Sequence, residues 1–104
     1  MERTSIEMIL MERFGITETE FGEILSRFLD PTGRLHTLPT KQKFKTVVYI
    51  HLASFFTLGR VYTEPKVNEI ITDVVADFAS FRRALIDNGL MSRSKDGREY
   101  LRNR

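Results

Sequence analysis

Residues 81–102 read FRRALIDNGLMSRSKDGREYLR, and the way this stretch divides decides the architecture. Phe81 and Leu85, with Phe78 just upstream, recur at helical spacing, and Asn88-Gly89 ends the run because glycine tolerates a positive φ. Leu90 to Ser94 and Arg98 to Leu101 are then short β-like runs around Asp96-Gly97, a dipeptide suited to a tight hairpin turn. The stretch therefore predicts a helix, a glycine stop and a basic β-ribbon.

Working back toward the N-terminus, Asp77 is placed to cap that helix, and only Val75-Ala76 separate it from the one before. The preceding helix starts at Thr63, tolerates Pro65 in its first turn, and buries Val67, Ile70, Ile71 and Val74. Arg60-Val61-Tyr62 is a short strand-like link after Gly59. Before it, Lys41 to Leu58 is apolar almost all round, with a cap expected at Thr40. A helix of that kind is covered on several sides, which makes it the central one. The order is helix, short strand, helix, tight turn, helix, hairpin. It predicts a mainly α (α+β) fold: a winged helix-turn-helix with a C-terminal β-hairpin wing.

Upstream of this body, residues 1–30 read as two extra helices packing on it, with residues 31–104 as the winged-helix domain and the whole as one compact unit. Thr4-Ser5-Ile6-Glu7 and Thr17 with Glu20 have capping-box spacing. Ile6, Ile9, Leu10 and Phe14 mark the first apolar stripe; Phe21, Ile24, Leu25, Phe28 and Leu29 mark the second, ended by Asp30-Pro31. Pro31 to Arg34 is a turn, and Leu35 to Leu38 a short extended piece.

The charge is uneven. The net is +2 overall, but residues 1–30 carry 3 basic and 7 acidic side chains, and residues 31–104 carry 13 basic and 7 acidic. An excess of +6 on the body suits an anionic partner. Solvated faces that merely differ have the same composition. The absence of cysteine excludes disulfides and thiolate chemistry and suits a cytoplasmic location. No signal peptide is visible, and the longest uncharged run, Thr46 to Gly59, is too short to span a bilayer, so no membrane is expected. No metal-ligand spacing, Walker loop, dinucleotide fingerprint or nucleophile elbow is present. No cofactor is expected, and the chain does not read as an enzyme. His51, within an apolar face, reads as a core histidine.

From about Leu29 to Arg102 the chain resembles a bacterial family known as domain of unknown function 2087. The stretches that carry the resemblance are LDPTGRLHTLP, KQKFK, GRVYTEPKVNEI, DFASFRRALIDNGL and RSKDGREYLR. The resemblance implies a winged-helix-like fold, found alone or appended to ArsR-type regulators, and work connected with transcription.

Candidate residues follow from a helical wheel at about 100° per residue. With Phe78, Phe81 and Leu85 inward, Ala79, Ser80, Arg83 and Asp87 point outward. Arg83, helped by Ser80, is the side chain of that helix able to reach a base edge or phosphate. Asp87 in the middle of the face counts against sequence-specific readout. On the ribbon, Arg93, Lys95, Arg98 and Arg102 can contact phosphates; charge that merely guards a sheet edge looks the same. Arg82 falls on the helix flank, where a structural polar network with Glu64, Asn68 and Asp77 is expected. Tyr62 and Tyr100 read as half-buried aromatics with wet hydroxyls. Lys41, Lys43 and Lys45 oppose the dipole at a helix start, a candidate anion site. The expected partner is duplex DNA. The alternative is a protein-interaction module, a homodimer or regulator-binding protein with no DNA binding.

Overall fold

The computed structural model describes residues 2–104. Five helices and a small three-stranded antiparallel sheet make up the fold: α1 (Ser5–Arg13), α2 (Glu18–Phe28), α3 (Gln42–Ala53), β1 (Val61–Thr63), α4 (Glu64–Thr72), α5 (Phe78–Asp87), β2 (Met91–Arg93) and β3 (Glu99–Arg102). From α3 onward this is the order predicted from sequence. The arrangement is winged-helix-like, with α1 and α2 added in front.

Local chemistry accounts for most of the boundaries. Thr4, Thr17, Thr63 and Asp77 each cap a helix, their side-chain oxygens accepting from a backbone N–H three residues on. Only half of each capping box forms, because Glu7 and Glu20 turn to cations elsewhere. α5 ends at Asp87, and Gly89 just beyond its cap residue Asn88 takes a φ of 75°, open to glycine at little cost. α3 departs from expectation at both ends. Its cap position is Lys41 rather than Thr40 and carries no side-chain hydrogen bond. It ends at Ala53, where the Ser54 hydroxyl donates to the His51 carbonyl and competes with the helical ladder. That turn swings Phe56 into the core, edge-on to Tyr62 at 5.0 Å.

The core is built around α3, with Val47, Val48, Ile50, Leu52 and Ala53 fully buried. Leu10, Met11, Phe21 and Ile24 from α1 and α2 cover it, as do Val67, Ile71 and Leu85 from α4 and α5. In α1 the expected stripe is partly inverted: Ile9 is exposed while Glu7 is buried. The turn after α2 is held by Asp30, whose carboxylate accepts from the Thr32 and Arg34 amides at 2.8 and 3.0 Å. The Leu35 amide then donates to the Val74 carbonyl. Together these bonds lay residues 29–35 against the end of α4.

The strand order is β1-β3-β2, and the register opposes Tyr62 to Tyr100 and Tyr100 to Arg93. Directly opposed residues share a face and alternate residues share it too. The inner face therefore carries Tyr62, Met91, Arg93, Tyr100 and Arg102, and the outer face carries Val61, Ser92 and Leu101. Among the described residues no helix is long and apolar enough to cross a membrane.

Candidate functional site

Between α5 and the β2–β3 hairpin lies an open groove of about 540 Å³. From α5 come Ala79, Ser80, Arg82, Arg83, Ile86 and Asp87, and from the hairpin come Arg93 and Tyr100. The helix supplies these side chains because Leu85 is anchored in the core and Phe81 packs edge-on against Tyr49 of α3, 5.7 Å away. That pairing turns the opposite side of α5 to solvent. The hairpin supplies Arg93 because the register puts it on the inner face, beside Tyr100.

The floor of the groove is a hydrogen-bonded chain. Arg82 donates through Nη1 to Asn68 Oδ1 at 2.6 Å, and its Nε lies 3.5 Å from Glu64 Oε1. The Tyr100 hydroxyl donates to the same Glu64 oxygen at 2.6 Å. The Tyr100 hydrogen bond, aided by the Arg82 and Arg93 charges, holds the Glu64 carboxyl below its usual range. Burial, reinforced by that carboxylate, pushes the Tyr100 phenol up. Arg82, Glu64 and Asn68 thus meet as expected and tie α4, α5 and β3 together. Asp77 does not join them, because its carboxylate caps α5 at the Ser80 amide. Tyr100 is a buried member of the network, and Tyr62 is also buried, its oxygen accepting from the Thr57 amide at 2.8 Å. Both rings are thus buried rather than half-buried, and both hydroxyls are hydrogen-bonded within the protein.

Two exposed cations, Arg83 and Arg93, line the groove above this floor. Arg83 is 84% exposed, with its Nε 3.8 Å from Asp87 Oδ2. Ser80 is exposed beside it. Arg93 folds across the hairpin turn, where a Cβ on Gly97 would meet its Nη2 at 2.8 Å; at φ 72°, only glycine fits comfortably. Lys95 and Arg98 are exposed at the hairpin tip, next to the groove but outside its lining. Asp96 is held within the turn: its carboxylate accepts from the Ser94 hydroxyl at 2.6 Å and the Arg98 amide at 3.0 Å. Those bonds, the hydroxyl's first, hold it ionised below the usual range. Among the described residues Arg93, Lys95 and Arg98 form no ion pair.

Two other candidate sets are placed elsewhere. Arg102 does not face solvent with the other hairpin cations. Two residues from Tyr100, it takes the same inner face. Its side chain is 9% exposed, donating to Glu7 Oε2 at 2.8 Å and to the Phe56 carbonyl at 3.0 Å. Sequence reasoning missed this bond from the N-terminal helix to the last strand. The signal available was the alternation of Tyr100 and Arg102. The lysine trio is divided, because Lys43 bonds to Glu20 at 2.9 Å. Lys41 lies over the Phe44 ring at 5.6 Å, and none of the three lines the groove.

His51 is half-buried rather than a full core residue, and it lines a second hollow of about 340 Å³ with Phe55, Ile70 and Val74. Burial pushes its pKa below 6.5.

The family model described as "Uncharacterized protein conserved in bacteria (DUF2087)" matches residues 34–102. The matched segment runs from the turn before α3 to the last residue of β3, so it contains every residue of the groove and leaves out α1 and α2. No curated protein and no solved structure matches the chain.

Proposed function

The chain belongs to this DUF2087 family conserved in bacteria, and from that premise we propose that it is a winged-helix DNA-binding protein connected with transcription. The observation that carries the reading is the groove between α5 and the hairpin, walled by guanidinium groups on both sides. Arg93, Lys95 and Arg98 are cations without carboxylate partners among the described residues, and phosphate is the anion a duplex offers in regular array. The Arg82–Glu64–Tyr100 chain beneath them keeps helix and hairpin in fixed relation, which phosphate contacts at separate points require.

Fluorescence anisotropy of a labelled 20-bp duplex tests the reading. Arg93→Ala and Arg98→Ala each lower affinity, while Lys41→Ala, on the Phe44 ring at the start of α3, leaves it unchanged. Equal loss in all three, or no binding by the wild type, removes the support.

A second reading, a protein-interaction module, rests on Val61 and Leu101, which oppose each other on the outer face of the sheet and are both exposed. A dimer by light scattering that is lost in Leu101→Lys, together with no duplex affinity, favours it.

A further inference from the structure

We infer that Arg83 and Asp87 act together as a reader of a guanine–cytosine base pair, a specificity element of the α5 face. The inference rests on the DNA-binding reading and concerns what that binding recognises. Arg83 differs from the hairpin cations in one respect: a carboxylate stands beside it. Nε of Arg83 lies 3.8 Å from Asp87 Oδ2, one helical turn away, and both side chains are largely exposed. An Asp at that place is poorly suited to phosphate, since a second anion lowers the attraction that Arg83 offers. Contrary to the expectation from sequence that Asp87 opposes readout, it is well suited to a neutral base edge that offers a donor.

In the major groove a guanine–cytosine pair presents two acceptors, guanine N7 and O6, next to one donor, the cytosine N4 amino group. The Arg83–Asp87 pair presents the complement: two donors next to an acceptor. The contact through Nε leaves the two terminal nitrogens of Arg83 free for bidentate bonding. An adenine–thymine pair lacks that sequence of groups and adds a methyl. The rest of the face is neutral: Ala79 and Ser80 bring no charge, and Arg82 is committed to Asn68 and Glu64. One base pair read in this way, with phosphate contacts from Arg93, Lys95 and Arg98 fixing the register, divides the labour between helix and hairpin.

The test is a selection from a pool of 20-bp duplexes with a randomised centre, sequencing the bound fraction for the wild type, Arg83→Ala and Asp87→Ala. The wild type enriches guanine–cytosine at a fixed position by roughly fivefold or more, the lower bound for one good bidentate contact. Both variants lose that enrichment, and both keep measurable affinity for the unselected pool, because the hairpin cations are untouched. Enrichment that survives in Arg83→Ala or Asp87→Ala, or a wild type that binds the pool without it, overturns the inference and leaves the DNA-binding reading standing. No binding of the pool by any of the three proteins overturns both.

Discussion

Replacing Glu7 by alanine removes the carboxylate on which a buried guanidinium depends. Glu7 is 1% exposed and Arg102 9%, and their N···O distance is 2.8 Å. Removing one partner of a buried pair costs about 3–5 kcal/mol, because the remaining charge stays out of water. The lower end applies here. The Phe56 carbonyl still accepts from Arg102, and Arg3, the other cation on Glu7, keeps Glu18 at 3.0 Å. Against that, Arg102 Nε already lacks a hydrogen-bond partner. A loss of about 3 kcal/mol in a domain of this size lowers the melting temperature by roughly 12–24 °C. The control is the double variant Glu7→Leu with Arg102→Met, which replaces both charges by apolar groups of similar volume. It comes within about 1 kcal/mol of the wild type or exceeds it. Thermal unfolding followed by circular dichroism reads both. A drop below about 4 °C for Glu7→Ala, or a double variant worse than either single one, would refute the burial argument.

Three further outcomes follow from the same contacts. Tyr100→Phe deletes the hydroxyl that bonds Glu64 at 2.6 Å and lowers stability by about 1 kcal/mol, measurable by urea unfolding. A chain beginning at residue 34 lacks Leu10, Met11, Ile16, Phe21, Ile24 and the Glu7 carboxylate, and shows no cooperative thermal transition. Because the folded protein disfavours protonated His51, it binds fewer protons there than the unfolded chain does; stability falls as pH drops below about 6.5, and His51→Gln flattens that part of the curve.

The helices were legible because their signals are local. A Thr or Asp cap and a glycine stop act within a few residues, and so did the stripe of α4. The network of Arg82, Glu64 and Asn68 was also within reach, since a flank position on one helix faces the neighbouring helix across a tight turn. Arg102 was misread because charge alone was counted along the hairpin. A strand of four residues has two faces, and which one is inside depends on Tyr100, whose own burial comes from packing with α4 and β1. Glu7 was hidden for a related reason: its partner lies 95 residues away, and no local pattern marks a carboxylate that will be neutralised from there. The lysine trio looked like a unit in sequence, but positions two apart on a helix point to nearly opposite sides, and Lys43 finds Glu20.

The central claim, that the groove and the hairpin tip beside it bind duplex DNA through the hairpin cations, is tested most directly by the salt dependence of affinity for a 20-bp duplex. If Arg93, Lys95 and Arg98 each neutralise one phosphate, log K against log salt has a slope of about −2.7, a loss of roughly fortyfold between about 50 and 200 mM. The triple alanine variant brings the slope close to zero. A wild-type slope near zero, or the same slope in the triple variant, would contradict the account.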